Sequence, residues 1–250
     1  MVAVSIRTLM SSPQPATTGF PCPEHVLCIL GMHRSGTSCL TGSLQEAGLE
    51  LGQCHTSNPH NLKGNRENQA IVDINDGVLE ANGGAWDRPP ERVIWTPRHM
   101  DLARELLAAH AGAAHFGFKD PRTLLTVGGW QALVPHMRFI GIFRHPGDVA
   151  QSLHNRSGMP LAQGLELWYQ YNRRLLRQYR AKPFPVLCFD DEPGLFLEKL
   201  RGSMAAVGLE ASGWHGEFYA QELKTARVED AVTLPWHVRR LYRKLLRLAE

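Results

Sequence analysis

An apolar segment that runs directly into a Ser- and Gly-rich turn constrains the fold of this sequence most. Residues 25–30, HVLCIL, have the continuous apolar character of a strand that is buried on both faces of a sheet. The turn at residues 31–37 follows, and apolar residues then recur at helical spacing over residues 36–47. A strand, a glycine-containing turn and a helix in this order place backbone N–H groups where an anion binds. The segment therefore predicts an anion-binding loop after the first strand.

Strands and helices alternate along the rest of the chain. Apolar runs predict further strands over residues 115–119, 137–143 and 185–190. Periodicity predicts helices over residues 71–79, 98–111, 123–134, 161–180, 194–207 and 236–248, and another helix that begins at residue 146. This alternation predicts an α/β fold, a parallel sheet flanked by helices on both faces, with ligands at the carboxyl ends of the strands.

Composition divides the chain into a tail, a domain and an insertion. Residues 1–23 are rich in Ser, Thr and Pro, which predicts a flexible N-terminal tail, and residues 24–250 are expected to form a single domain. Residues 50–100 are polar and rich in Gly, Pro and Asn, which predicts an insertion over a binding face. No run reaches the roughly 18 apolar residues of a membrane helix, so we expect no membrane anchor.

Charge and cysteine content limit the classes of ligand and of compartment. The chain has 27 Lys and Arg residues against 24 Asp and Glu residues, a formal net charge of +3. This excess is too small to indicate nucleic-acid binding, but it allows a local basic pocket for a small anion. The five cysteines are scattered, with no CxxC pair, and indicate reduced thiols and a cytoplasmic location.

The loop after the first strand carries arginine and lacks the Gly-Lys-Ser/Thr ending of nucleoside triphosphatases. Backbone N–H groups of residues 35–38 form the predicted anion site, and Gly36 allows a close approach. Arg34 and the hydroxyls of Thr37 and Ser38 would add charge-assisted hydrogen bonds. A turn that only caps a helix is the alternative interpretation.

A second candidate anion site follows the predicted strand at residues 137–143. Arg144 stands at the strand end, and Ser152 and Arg156 follow on one face of the next helix. Together these three side chains are able to bind a second phosphate. A solvated helix face would explain Ser152 and Arg156 alone, but it explains Arg144 poorly, because an idle charge beside a buried strand is unfavourable.

Three motifs in order resemble the sulfotransferases that use 3′-phosphoadenosine-5′-phosphosulfate (PAPS). They are GMHRSGTS after the first strand, FKDPR after the second and FRHPGDVAQS after the third, and the resemblance covers residues 25–190. It implies a P-loop-like sheet and the transfer of a sulfuryl group from PAPS to a hydroxyl or amine of an acceptor. The product nucleotide would be adenosine-3′,5′-bisphosphate, and no metal is expected. The acceptor is expected to be a small molecule, a carbohydrate or a peptide, and the insertion at residues 50–100 is expected to lie on its side of the binding face.

The resemblance also implies which residues contact the nucleotide. The residues implied to bind the 5′ side are Arg34, Ser35, Gly36, Thr37 and Ser38. Those implied to bind the 3′-phosphate are Arg144 and Ser152, and Arg156, on the same helix face as Ser152, is expected to bind the nucleotide with them. Phe189 stands where the family often has a tyrosine and is expected to pack on the adenine.

Candidates for the chemistry itself are one arginine, one lysine and two possible bases. Arg34 and Lys119 are expected to stabilise the charge that develops on the bridging oxygen, although a surface pairing with Asp120 would also explain Lys119. Glu67 lies in NLKGNREN, which resembles a stretch of bacterial members of the family, and it is the first candidate for the general base. His33, inside the loop, is the second, and its alternative role is to bind a phosphate oxygen. An exposed acid is the alternative interpretation of Glu67.

Two other functions stay open at this point. A small-molecule kinase of the P-loop type would need Mg²⁺ and a carboxylate at a strand end, where the sequence places Lys119, Arg144 and only Asp190. A non-catalytic module that binds a phosphonucleotide would keep both anion sites and lack the base.

Overall fold

Four parallel strands form one sheet in the residues that the computed structural model describes, which are 19–55, 64–212, 214–216, 218–219 and 232–250. They are β1 (His25–Leu30), β2 (His115–Lys119), β3 (Arg138–Phe143) and β4 (Val186–Cys188), in the order β2-β1-β3-β4. Every neighbouring pair is parallel, so the predicted α/β class with a parallel sheet is confirmed. The predicted N-terminal tail lies outside the described residues over positions 1–18.

Eight helices accompany the sheet in the same described ranges. They are α1 (Thr37–Glu46), α2 (Gln69–Ala81), α3 (Pro97–Ala109), α4 (Thr123–Leu133), α5 (Pro146–Ser157), α6 (Leu161–Ala181), α7 (Pro193–Ala206) and α8 (Trp236–Leu246). Each one coincides with a helix predicted from the sequence. The fourth strand is shorter than predicted, because the chain turns at residues 189–190 and leaves the sheet.

The alternation of side chains along the strands sends apolar groups to both faces of the sheet. In β1, Cys28 and Leu30 belong to the core on one face, whereas Leu27 and Ile29 belong to the core on the other. Helices α1 and α7 cover the second face, and apolar residues of α2 to α6 and α8 cover the first. The helices on both faces explain why the strands are continuously apolar.

The strand order places the carboxyl ends of β1 and β3 side by side in the middle of the sheet. The chain passes from β1 to β2 on one side of β1 and later continues in β3 on the other side. Such a reversal opens a crevice at the carboxyl ends of the strands, where ligands of α/β proteins bind. The loop after β1 starts at this crevice, and Arg144 lies there as the first residue after β3.

The predicted insertion contains α2 and the start of α3, and both helices are capped. The side chains of Asn68 and Thr96 accept hydrogen bonds from backbone N–H groups in the first turns of α2 and α3. The buried amide of Asn75 in α2 donates to Asp120 at 2.8 Å and accepts from the Trp130 indole at 3.0 Å. These contacts anchor α2 to Asp120, the first residue after β2, and to Trp130 of α4.

Two further features concern the whole described part of the chain. Its helices include none that is apolar over the length needed to cross a membrane. The five cysteines are free thiols, and Cys28, Cys39 and Cys188 are buried.

Candidate active site

The loop after β1 turns sharply into α1. Arg34 has a φ of 65° and Gly36 a φ of 84°, both in the left-handed region, which non-glycine residues occupy rarely and often at functional sites. Gly36 is the N-cap of α1 and supplies no capping side chain, so the N–H groups of the first turn have no partner within the helix. These donors and the helix dipole make the loop suitable for binding an anion.

Gly36 is required by space as well as by backbone conformation. A Cβ atom at Gly36 would overlap the ring of Phe189. Phe189 is 4% exposed and lies beneath the loop, with the Arg144 guanidinium 5.6 Å from its ring centre. Phe189 thus supports the loop from below, and its contact with adenine stays a prediction.

Replacing Gly36 with Ala is expected to lower the free energy of unfolding by about 2 to 5 kcal/mol, because backbone strain and a clash with Phe189 add together. Gly48→Ala is the matched control, since Gly48 has a φ of 93° but nothing within 4 Å of its Cβ position. Urea denaturation measures both losses. Equal losses in the two variants would contradict the steric role of Phe189.

Three arginines converge on this loop. Arg34 donates from Nε to Oγ of Ser152 at 2.8 Å, which joins the loop to α5. Burial, followed by the charges of Arg156 and Arg144, lowers the pKa of Arg34. The guanidinium charges of Arg156 and Arg144 therefore repel that of Arg34, and a bound anion would relieve this repulsion.

Arg144 is buried beside two carboxylates. It is 4% exposed, its Nε lies 3.4 Å from Oδ1 of Asp190, and its Nη2 lies 3.7 Å from Oδ2 of Asp148. Asp190 also accepts the backbone N–H of His145 at 2.6 Å. The carboxylates hold the guanidinium at the carboxyl end of β3, which explains how a charge is tolerated there.

Lys119 and Glu67 form a buried ion pair. Nζ of Lys119, at the end of β2, lies 2.6 Å from Oε1 of Glu67, and the two side chains are 1% and 13% exposed. Asn65 donates to the other carboxylate oxygen at 2.9 Å. The surface pairing of Lys119 with Asp120 is not observed, because Asp120 pairs instead with Arg122 at 2.9 Å. Glu67 is likewise not an exposed acid.

A polar cavity of about 120 Å³ connects these groups at the carboxyl ends of β1 and β2. It is lined by His33, Arg34, Thr37, Ser38, Asn65, Glu67, Lys119, Pro121, Arg122 and Arg156. The other predicted site residues, which do not line it, are Ser35, Gly36, Arg144, Ser152 and Phe189. The cavity brings the predicted base, the lysine and the anion-binding loop into one place. Among the described residues, no three His, Cys, Asp or Glu side chains are grouped to hold a metal ion.

Arg122 lines the cavity, although sequence reasoning assigned it no role. Its Nε donates to Asp76 at 2.6 Å, and its Nη1 donates to Asp120 at 2.9 Å. Burial opposes the charge, but the carboxylates of Asp120 and Asp76 more than offset it and raise the pKa of Arg122. Its position in FKDPR, three residues beyond Lys119 at the same strand end, is the sequence signal that could have identified it as a site residue.

His33 lies in the cavity as a neutral ring. Its Nε2 has no hydrogen-bond partner in the described structure, and the ring meets Trp86 edge-on, with 4.8 Å between centres. Burial, followed by the charges of Arg122 and Lys119, lowers the pKa of His33 well below its ordinary 6.5. At neutral pH, His33 therefore offers a hydrogen bond rather than a positive charge.

Stability is expected to fall as the pH drops below 6.5, in part because of His33. The unfolded chain takes up this proton at a higher pH than the folded protein, so stability is lost from pH 6.5 down to the lowered folded pKa. One such proton contributes a slope of at most about 1.4 kcal/mol per pH unit. Urea denaturation across this range measures how the free energy of unfolding changes with pH, and this change should be less steep for His33→Gln. A part of the change should remain in that variant, because the pKa of His136 is also lowered. An unchanged slope would contradict the burial of a neutral His33.

Comparisons with known proteins bear on the fold. No protein-family profile matches the chain, and no curated protein matches its sequence. The chain is similar to the sulfotransferase domain of the olefin synthase of Synechococcus PCC 7002, with a TM-score of 0.57 and 16% identity over 94% of this chain and 98% of that one. Sulfotransferase STF1 of Mycobacterium tuberculosis H37Rv also matches, with a TM-score of 0.49 and 17% identity over 77% of this chain and 70% of that one. The likeness to the olefin synthase domain shows that the protein has a sulfotransferase fold.

Proposed function

We propose that this protein is a sulfotransferase that moves a sulfuryl group from PAPS to a hydroxyl or amine of an acceptor. The observation that carries the proposal is the polar cavity in which the loop before α1, with Arg34, adjoins the buried pair of Glu67 and Lys119. An anion-binding loop beside an acid–base pair is what group transfer from a charged donor requires. The sulfotransferase fold supports the proposal.

The residues present fit the charge and the oxygen atoms of PAPS. Oγ of Ser35 and Nε2 of His33 are buried without a hydrogen-bond partner in the described structure, and such atoms are rare unless a ligand or water satisfies them. The repulsion of Arg34 by Arg156 and Arg144 also favours an anion beside Arg34. We therefore expect a dianionic or more highly charged nucleotide at this place.

The loop and α5 would hold the two ends of the nucleotide. The N–H groups of residues 35–38 and the Arg34 guanidinium would bind the 5′-phosphate, since both are able to donate to its oxygens. Arg144, Ser152 and Arg156 would bind the 3′-phosphate. The hydrogen bond from Arg34 to Ser152 ties these two groups of residues together, so that both ends are recognised at once.

Glu67 and Lys119 would provide proton transfer and charge stabilisation. When bound, PAPS supplies a sulfuryl group whose bond to the bridging phosphate oxygen breaks as the acceptor oxygen or nitrogen bonds to sulfur. The Glu67 carboxylate takes the acceptor proton, and the Lys119 ammonium stabilises the negative charge on the bridging oxygen. Asn65 orients the carboxylate through its 2.9 Å hydrogen bond, and each carboxylate oxygen keeps a lone pair for the acceptor.

Selective binding of adenosine-3′,5′-bisphosphate tests the proposal. In a thermal-shift titration, this bisphosphate should raise the Tm at lower concentrations than 5′-AMP, because the second phosphate has its own binding residues. Stabilisation by ATP with Mg²⁺ alone would contradict the proposal and favour a kinase. Binding of the bisphosphate without sulfuryl transfer from PAPS to any of a panel of hydroxyl and amine acceptors would favour a non-catalytic module.

A further inference from the structure

A second, strongly basic cavity lies on α6, apart from the candidate active site. Its volume is about 300 Å³, and it is lined by Glu91, Arg92, Arg173, Arg174 and Arg177. None of these residues lines the cavity that contains Glu67 and Lys119. We call it the arginine cavity.

The arginine cavity has an excess of positive charge. It holds four guanidinium groups and the single carboxylate of Glu91. In the described part of the chain, the ion pairs of arginines with carboxylates involve Arg104, Arg122 and Arg144, and none of the four cavity arginines. Grouped guanidinium charges without paired carboxylates attract anions from solution.

Arg174 is the buried centre of this group. It is 6% exposed, and it donates to the backbone carbonyls of Gln170 at 2.9 Å and Pro90 at 2.7 Å. These neutral acceptors fix the guanidinium without cancelling its charge. Burial, followed by the charges of Arg173 and Arg177, lowers the pKa of Arg174 to about 10. A row of solvated arginines on an exposed helix face would not have a buried, fixed member.

We propose that the arginine cavity is a second anion-binding site, which takes a multiply charged phosphate or sulfate group of a small molecule in solution. Planar guanidinium groups bind the oxygens of such groups in pairs, which ammonium groups do not. A volume of about 300 Å³ has room for such a group. The proposal does not depend on the function proposed for the other cavity.

The loop that supplies Arg92 also reaches the candidate active site. The hydroxyl of Tyr171 donates to the backbone carbonyl of Trp86 at 2.8 Å, and Trp86 packs against His33. One turn further along α6, Arg174 holds Pro90 of the same loop. An anion in the arginine cavity would therefore hold this loop more firmly against α6.

Calorimetric titration with inorganic pyrophosphate tests the proposal. The test variant is Arg173→Gln/Arg177→Gln, because both side chains are exposed and their replacement is expected to disturb little packing. The matched control is Arg243→Gln/Arg247→Gln, which removes two exposed charges at the C-terminal end of α8, outside the cavity. We expect affinity for one pyrophosphate to fall by at least about tenfold in the test variant and to stay unchanged in the control.

The candidate active site also contains cations, so a third variant separates the two sites. The variant Arg34→Gln/Arg156→Gln should still bind pyrophosphate at the arginine cavity, whereas Arg173→Gln/Arg177→Gln should lose this binding. The proposal is overturned if the test variant binds like the unmodified protein, or if the α8 control loses as much affinity as the test variant. Neither result bears on adenosine-3′,5′-bisphosphate, which tests the other cavity.

A vesicle arm distinguishes a free anion from a lipid headgroup. The protein is sedimented with phosphatidylcholine vesicles that contain phosphatidylglycerol, in parallel with the pyrophosphate titration. We expect pyrophosphate binding without sedimentation. If the protein sediments with the vesicles and Arg173→Gln/Arg177→Gln does not, the proposal of a small molecule in solution is overturned. The anion would then be a lipid headgroup of a membrane surface.

Discussion

Replacing Lys119 with Met is expected to lower the free energy of unfolding by about 3 to 5 kcal/mol. The change removes the cation that lies 2.6 Å from the Glu67 carboxylate, whose side chain is 13% exposed. A buried carboxylate without a counter-ion keeps its unfavourable transfer from water and loses the attraction that offset it. Urea denaturation of the unmodified protein and the variant measures this loss.

A double variant separates the ion pair from the packing around it. Lys119→Met/Glu67→Gln removes both charges, so we expect it to be more stable than Lys119→Met alone by about 2 kcal/mol. The exposed pair of Arg104 and Asp101 is the control, and Arg104→Gln should change stability by less than about 1 kcal/mol. A double variant as unstable as the sum of its two single variants would contradict a coupled, buried pair.

Replacing Arg144 with Gln is expected to weaken the binding of adenosine-3′,5′-bisphosphate by about 100-fold. In the proposed function, Arg144 contacts only the 3′-phosphate, and its 4% exposure means that little water would replace the lost contact. Binding of 5′-AMP, which lacks this phosphate, should change by less than about threefold. Calorimetric titration with the two nucleotides measures the change in preference.

Arg138→Gln is the matched control for this experiment. Arg138 stands at the opposite, exposed end of β3, so its replacement should leave the affinities for both nucleotides unchanged. Because Arg144→Gln also deprives Asp148 and Asp190 of their cation, the titrations are made well below the Tm of the variant. An equal loss of affinity for both nucleotides would show that Arg144 stabilises the loop and does not bind the 3′-phosphate.

The order of strands and helices was predictable because it depends on neighbouring residues. The continuous apolar runs of β1 and β3 need no knowledge of distant contacts, and they already place Arg34 and Arg144 just beyond strand ends. β4 shows the limit of such patterns. The apolar run continues through Phe189, but the chain leaves the sheet after Cys188, and Asp190 accepts a hydrogen bond from the backbone N–H of His145, two residues beyond β3.

Pairings between distant segments required the folded chain. Lys119 meets Glu67, 52 residues earlier in the chain, although the adjacent residue Asp120 offers a nearer carboxylate. Arg34 meets Ser152 across 118 residues, and this contact joins two predicted anion sites that the sequence treats separately.

Local patterns of polarity were enough to establish the α/β class of this protein and the residues that stand at its strand ends. The packing of the chain decided which of those charges pair, which are buried, and that Lys119, Glu67 and Arg34 line one cavity. The reason is that distance and burial at the crevice arise only once the strands are assembled in the order β2-β1-β3-β4.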